Sequence, residues 1–466
     1  MPSRASTLGR VTGLSLWWDQ LAADRPQEAE PRPPLDGDTT ADVVIVGGGL
    51  TGLWTAYYLQ EADPGLDVVV VEQEVAGFGA SGRSGGWCSA QFPVSAAALA
   101  RRHGHDAAVE MRAAMRDAVV EVGGVAAAEH LACGFAYGGT VLLARDEAQL
   151  ERLADEAAQA ATWGDELELL DPAGVADHLR AEGVLGGAFT PDCARLQPAA
   201  LVRGLADLVV SRGARLSEHT RAVRLSPRAV VTEHGTVRAR WVVRATEAWT
   251  ATLPGSDREL APVHSLMIAT QPLPAAIWEL IGLDRAESFG GAGHLPVHGG
   301  RSADGRLVLG GRGAPYRAGS TIDPASDQLR AGHEHLRRTL VRLFPAVADT
   351  TITHRWAGPL GVPRDGHASV GLDPDTGIGW AGGYGDDGVA AANLAGRTLA
   401  DLITEADSPL VRLPWVGHRS PRWAPEPLRW AQVSAARWAM RVADETERRT
   451  RRPNRRTAAT GRLPGR

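Results

Sequence analysis

Lysine is absent from the chain; each of its 49 basic residues is an arginine. That excludes a pyridoxal Schiff base, a Walker-type phosphate-binding lysine and a lysine poised beside a redox cofactor to activate oxygen. Cysteine is scarce. Cys88, Cys133 and Cys193 are the only three, and they lack paired metal-ligand spacing. An odd, sparse set reads as small buried residues in a reducing compartment, and no metal site is expected. Apolar runs long enough to span a bilayer are missing as well. Arg4 and Arg10 precede Trp17 without a continuous apolar segment, so there is no signal-peptide pattern and a cytoplasmic location is the expectation. Positive charge is in deficit. With 55 acids the net charge is -6 and the pI near 6.2, which argues against bulk nucleic-acid binding. No internal repeat is found.

What 466 residues at 44% hydrophobic content do supply is a large core, expected in two interleaved domains. The chain is organised around residues 42–72. Val43 to Val46 is a short β-branched run bounded by glycines, which suits a strand buried on both faces. Leu50, Leu53, Trp54, Tyr57 and Tyr58 then recur at helical spacing. Between them lies a Gly-x-Gly-x-x-Gly turn. Gly47 permits the bend, Gly49 lets backbone approach a pyrophosphate, and Gly52 lets helix and strand pack closely. The helix N-terminus, at Leu50 and Thr51, faces the anion. Val68 to Val71 gives the next parallel strand, followed by Glu72 and Gln73, with Glu72 placed to accept from ribose hydroxyls. An acid here indicates an unphosphorylated ribose, hence NAD or FAD rather than NADP.

Residues 1–40 read as an arm whose Trp17 and Trp18 dock on the body, with a proline-rich link to the first strand. After Glu72 the run Gly79-Ala-Ser81-Gly82-Arg83-Ser84-Gly85-Gly86-Trp87 is too glycine-rich for a core strand or a helix; it is a loop with many free N–H groups, suited to wrapping a cofactor. Helices are predicted over 96–132, Glu147 to Ala161, Pro198 to Val210 and Ser326 to Phe344, and a β-rich block over 258–315. Near the end, Gly377 to Ala381 is a strand, Gly382-Gly-Tyr-Gly-Asp-Asp-Gly388 a turn and Val389 to Ile403 a helix, whose positive end can face an electron-rich ring. A proline- and tryptophan-rich linker, a helix to about Glu447 and a disordered basic tail over 448–466 complete the chain.

These pieces, in this order, resemble the FAD-dependent oxidoreductases of the D-amino acid oxidase type, over about residues 14–430. The marks are the Val43–Gly52 fingerprint, Gly79 to Gly86, Thr246-Glu-Ala-Trp249, Ala303 to Gly311, and the Gly382–Val389 turn with Asn393-Leu-Ala-Gly-Arg397. The Gly-Ala-Ser-Gly-Arg-Ser-Gly-Gly run is most like the γ-glutamylputrescine oxidoreductase branch. The resemblance implies an α/β fold in which a Rossmann-type FAD-binding domain (41–95, 195–255 and 350–405) is interleaved with an α+β substrate domain on a mainly antiparallel sheet (96–194 and 256–349), followed by a C-terminal linker and helix (406–447). It implies that Gly47, Gly49 and Gly52 hold the pyrophosphate and Glu72 the ribose. Ser81, Gly82, Arg83, Ser84, Gly85 and Gly86 would line pyrophosphate and flavin, Val223 would meet adenine through its backbone, and Gly385, Asp386, Asp387, Gly388 and Val389 would approach the flavin pyrimidine. Thr246 and Trp249 belong to the same set. The implied chemistry is hydride transfer from an amine carbon to flavin N5, then hydrolysis of the imine by water.

Departures from the family pattern bear on the substrate. Where the glycine-oxidase branch carries an arginine that clamps a substrate carboxylate, this chain has Gly358-Pro-Leu-Gly361, with Leu360 at that position. A simple α-amino acid is therefore disfavoured, although Arg301 or Arg364 could meet a carboxylate bidentately. One of Asp386 and Asp387 is expected to cap the closing helix. Cys88 lies just past the second glycine loop, where a covalent flavin thioether is conceivable. His264, Tyr137, Tyr316 and Trp356, on or beside strands, are with Arg301 the catalytic candidates. The expected function is oxidation of a C–N bond in a small amine or N-substituted amino acid, with oxygen or another electron acceptor as partner; the rival functions are an NAD-dependent dehydrogenase and an inactive FAD-binding protein.

Overall fold

The computed structural model describes residues 13–311, 316, 319, 322 and 326–450. Five parallel strands form the nucleotide side. Their order is Arg215–Ser217, Val68–Val71, Thr39–Val46, Thr236–Arg244 and Ile378–Gly382, with Val43 opposite both Val68 and Trp241. Such strands are covered on both faces, which is why Val43 to Val46 and Val68 to Val71 are apolar throughout and fully buried. An antiparallel hairpin, Ala222–Ser226 and Ala229–Thr232, pairs with the first residues of Thr236–Arg244, whose last residues pair with Ile378–Gly382. The fingerprint helix Leu50–Ala62 packs against the closing helix Gly388–Ile403 so closely that a Cβ on Gly396 would lie 2.6 Å from Trp54 Cβ.

The second sheet has eight strands, in the order Ile352–Pro363, Leu260–Thr270, Leu307–Gly311, Val297–Arg301, Ser288–Gly291, Thr140–Ala144, Gly186–Thr190 and Glu168–Leu170. All neighbours are antiparallel except Ser288–Gly291 with Thr140–Ala144. Ile352–Pro363 pairs along the full length of Leu260–Thr270, so it belongs to this sheet rather than to the nucleotide side, where the expected boundary at residue 350 had put it. Side chains alternate faces along a strand. On Leu260–Thr270, Leu266 and Ile268 meet the core beneath the helix Ser326–Leu343, whereas Met267 and Ala269 face the core shared with the nucleotide side.

The arm is anchored as expected of it. The helix Leu16–Asp24 buries Trp17 and Trp18, Trp17 Nε1 donates to the Ser84 carbonyl at 2.8 Å, and Ser15 Oγ donates to that of Gly82 at 2.9 Å. The C-terminal helix runs over Leu428–Thr450, past the expected end near Glu447; residues 451–466 of the basic tail lie outside the described residues. Among the described residues no helix is long and apolar enough to cross a membrane.

His367, next to the closing turn, supplies a pH test of this packing. It is buried, its ring stacks 4.0 Å from that of His418, and its Nδ1 lies 2.7 Å from the Ala368 carbonyl. Burial, then the His418 charge, pushes its pKa down to about 4. The unfolded chain takes up this proton near pH 6.5 and the folded chain only near 4, so stability is expected to fall as pH drops through that window, by about 3 kcal/mol at full development. Melting temperatures of wild type and His367→Phe from pH 7 to 4 check this. Parallel curves would show that His367 is not the source.

Candidate active site

The fingerprint turn is built for close approach. Gly47 has φ +113°, and a Cβ there would lie 2.4 Å from the Ala245 carbonyl oxygen. A Cβ on Gly52 would lie 2.0 Å from the Gly47 oxygen, and one on Gly49 would lie 3.0 Å from Ser81 Oγ. Ser81 Oγ accepts the Leu50 N–H at 2.9 Å, which ties the second glycine loop to the helix N-terminus. The N–H groups of Thr51 and Gly52 meet no protein acceptor among the described residues. A cradle that any side chain would fill, with open donors on a helix N-terminus, fits a pyrophosphate.

Glu72, half-buried at the end of its strand, accepts from the Gly48 N–H at 2.7 Å and the Glu74 N–H at 2.9 Å. Desolvation pushes its pKa up to about 7 against the pull of those donors. Gln73 Nε2 lies 3.4 Å from Glu74 Oε1. Ribose hydroxyls bind a carboxylate better than a carboxylic acid, so FAD binding to stripped protein is expected to tighten between pH 6 and pH 8. Titrations at the two values read this dependence. Glu72→Gln should flatten it, and an unchanged dependence in that variant would remove Glu72 from the ribose site. Val223 lies within the register shift between Ala222 and Arg224, so its backbone is left out of the ladder.

The second glycine loop is gripped from several sides. Arg83 Nε donates to the Phe78 carbonyl at 2.7 Å and Nη1 to that of Ala357 at 3.2 Å, with the guanidinium 4.6 Å from the Phe78 ring centre. Trp356 Nε1 donates to the Arg83 carbonyl at 2.9 Å. Trp249 covers Gly79, where a Cβ would meet its ring at 3.1 Å, and Thr246 Oγ1 lies 2.8 Å from Thr250 Oγ1. Gly85 faces His298, and Gly86, at φ +79°, packs on the Leu196 carbonyl. The closing turn meets the fingerprint helix through Tyr384 Oη and Thr51 Oγ1, 3.2 Å apart. Of the two aspartates expected to supply a cap, Asp387 holds the N-cap position of the closing helix but its side chain makes no capping bond. The Asp386 carbonyl accepts from Trp87 Nε1 at 3.4 Å.

A cavity of about 460 Å³ lies against this turn, lined by Trp87, His298 and Tyr384 to Asp387 and also by Leu142, Arg152 and His294. His298, buried and stacked on Trp87 with ring centres 5.0 Å apart, is a site residue that sequence reading missed. No local signal marks it in Val297-His-Gly-Gly-Arg301.

The catalytic candidates do not gather here. His264 is buried on the Leu266 and Ile268 face of its strand, its Nε2 2.6 Å from the Ile322 carbonyl, away from Met267 and the cavity. Tyr137 is exposed and donates to the Val120 carbonyl at 3.3 Å. Tyr316 packs with Trp423 and Val433 and donates to Glu426 at 3.0 Å. Arg301 pairs with Asp284 at 3.2 Å and lies over Trp278, while Arg364 is exposed and donates to the Arg422 carbonyl. Only Trp356 reaches the second glycine loop, and there it holds backbone. Cys88 is fully buried, and desolvation pushes its thiol well up, which opposes thiolate chemistry. His294, Asp444 and Glu447 form a metal-like group, but Arg152 Nη2, 2.8 Å from Glu447 and 3.2 Å from His294, already supplies the cation.

Residues 42–402 match the family model described as FAD dependent oxidoreductase. The chain belongs to that family. It is 30% identical to a probable oxidoreductase OrdL of Rhizobium meliloti, over 83% of this chain and 87% of that protein. It is 28% identical to the γ-glutamylputrescine oxidoreductase of Escherichia coli, over 80% and 86% respectively. Among solved structures, glycine oxidase from Geobacillus kaustophilus superposes with a TM-score of 0.68 at 22% identity, covering 81% of this chain and 99% of that one. This FAD-dependent oxidoreductase therefore has the fold and the cofactor that its fingerprint implied, and NAD is set aside as the resident cofactor.

Proposed function

We propose that this oxidoreductase oxidises a C–N bond of a small amine, in the cavity between Trp87, His298 and the closing turn. Bound FAD supplies the hydride acceptor, and the oxidised C–N bond is then hydrolysed by water. The chain's own part is to hold the flavin with the fingerprint and second glycine loop, and to orient the amine against it.

The observation that carries the substrate class is the charge of the cavity wall. Seven acids line it, Asp155, Glu156, Asp165, Glu166, Asp192, Asp386 and Asp387, against two arginines. Both arginines are committed: Arg112 to Asp165 at 2.9 Å and Arg152 to Glu447 at 2.8 Å. With Leu360 in place of a clamping arginine, a substrate carboxylate has no ready partner there, whereas an ammonium does. The curated relative that acts on γ-glutamylputrescine supports an amine over a simple amino acid. Purified protein mixed anaerobically with amines, polyamines, N-methyl amino acids and D-amino acids tests this. Bleaching of the flavin bands by amines should be about tenfold faster than by glycine or D-alanine. Faster bleaching by the amino acids would overturn the amine reading, and admitting air then separates an oxidase from an enzyme with another acceptor.

A further inference from the structure

Glu247 lies in the segment Thr246-Glu-Ala-Trp249 without any role so far. It is one of seven non-glycine residues with positive φ among the described residues, at φ +41°. A glutamate gains nothing from that conformation, and such outliers persist where surrounding contacts over-determine them. Those contacts are specific. Oε2 accepts the Gly361 N–H at 2.8 Å, and Oε1 accepts the N–H of Gly383 at 2.6 Å and that of Tyr384 at 3.5 Å. One carboxylate thus joins the end of the strand Thr236–Arg244, the strand Ile352–Pro363 of the other sheet, and the closing turn. The fit is close: a Cβ on Gly361 would lie 2.5 Å from Oε2, and one on Gly382 3.2 Å from Oε1.

The turn it holds is unusual. Gly382, Gly383 and Gly385 all have positive φ, at +156°, +85° and +64°, so the backbone direction here is set by bonds to its N–H groups rather than by local preference. Just upstream, Ala245 packs its carbonyl on Gly47 of the fingerprint. Just downstream, Tyr384 reaches Thr51. Glu247 is bonded both to the turn and to the substrate-side strand.

We infer that Glu247 is a positioning residue for the flavin: its carboxylate fixes the Gly383–Tyr384 backbone relative to Gly361, and thereby aims the rest of the closing turn and the closing helix N-terminus at the flavin pyrimidine. The inference rests on the reading that residues 385–389 approach that ring. The side chain need not touch the cofactor; it acts through the backbone it holds. Removing it leaves three N–H groups seeking acceptors and frees the turn.

The test uses the full-length protein stripped of FAD, as wild type, Glu247→Ala and Glu247→Gln, with FAD titrated by the quenching of its fluorescence. The visible spectrum of the reloaded protein and the melting temperature of the stripped protein are recorded alongside. Glu247→Ala should bind FAD about ten- to a hundredfold more weakly and show less resolved flavin bands. Glu247→Gln, which keeps one acceptor at the same reach, should recover part of the affinity; being isosteric, it carries the test if the alanine variant fails to fold. FAD affinity and spectrum equal to wild type in both variants, with only the stripped protein's melting temperature lowered, would reduce Glu247 to a structural residue and overturn the inference. Wild-type protein that binds no FAD would instead remove the cofactor reading itself, and the inference with it.

Discussion

Gly52→Ala is expected to purify without flavin. The added Cβ would lie 2.0 Å from the Gly47 carbonyl oxygen and 3.1 Å from Ile45 Cγ2. The first neighbour is backbone in the turn proposed to cradle the pyrophosphate, so it cannot move aside as a flexible side chain could. Either the helix Leu50–Ala62 lifts from its strand or the turn flattens, and each displaces the N–H groups of Thr51 and Gly52. Forcing a methyl into a packed site costs about 3 kcal/mol or more when the backbone must shift. If that strain falls on the bound state, FAD affinity drops about a hundredfold or more. Gly124→Ala is the control. Gly124 sits in the helix His105–Ala128 with nothing within 4 Å of an added Cβ, so that change should be neutral or stabilising by about 1 kcal/mol. Flavin absorbance relative to protein, read on both variants as purified, decides the matter; wild-type stoichiometry in Gly52→Ala would show that the helix can yield without loss of the site.

The parts of this site that were legible in the sequence are those whose causes are local. Gly47, Gly49 and Gly52 announce themselves because the bend, the anion approach and the helix packing all act within six residues. The second glycine loop is visible for a similar reason, since so many glycines fit no regular element. The residues that reading missed take their meaning from distant partners. Glu247 is defined by Gly361 and Gly383, which are 114 and 136 positions away. His298 becomes a wall residue only because the strand Trp87–Ser89, in a separate three-stranded sheet, brings Trp87 against it.

His264 was misplaced by strand phase. In Leu260–Thr270 a shift of one position moves a side chain to the opposite face. Both faces of that strand are buried, so apolar pattern alone could not tell the phase of His264 from that of Met267. The misplaced boundary at residue 350 has a related origin. Ile352–Pro363 has no sequence mark tying it to Leu260–Thr270, because register across some hundred residues is set by the sheet rather than by the strand. Tyr316 was drawn off by a partner that only the fold supplies, Glu426 of the C-terminal segment.

A large stability effect is expected at Arg203, in the helix Pro198–Ser211. Its guanidinium is buried against Glu218, whose side chain is also fully buried. Arg203 Nε donates to the Glu28 carbonyl at 2.6 Å and Nη2 to that of Glu30 at 2.7 Å. Glu218 in turn accepts the Ala76 N–H at 2.9 Å and the Arg32 N–H at 2.6 Å. One ion pair therefore joins the N-terminal arm, a core helix and the backbone just before the second glycine loop. Arg203→Met removes the buried cation and leaves the carboxylate with Arg32, whose Nη1 lies 3.3 Å away, as its remaining charge partner. Breaking a buried pair from one side costs about 3 to 5 kcal/mol, and the residual Arg32 contact puts this variant at the lower end. For a chain of this length 3 kcal/mol lowers the melting temperature by about 3 °C. Arg203→Met/Glu218→Leu should be less destabilised than the sum of its single variants, because it removes the stranded charge as well as the bond. The flavin should respond too: with Ala76 and residues 28–32 released, the loop gripped by Trp17 and Ser15 loosens, and flavin should be lost on gel filtration faster than from wild type. Melting curves of the two singles and the double, recorded with and without added FAD, measure the coupling. Strict additivity would mean that the pair contributes no interaction energy to the packing of the arm.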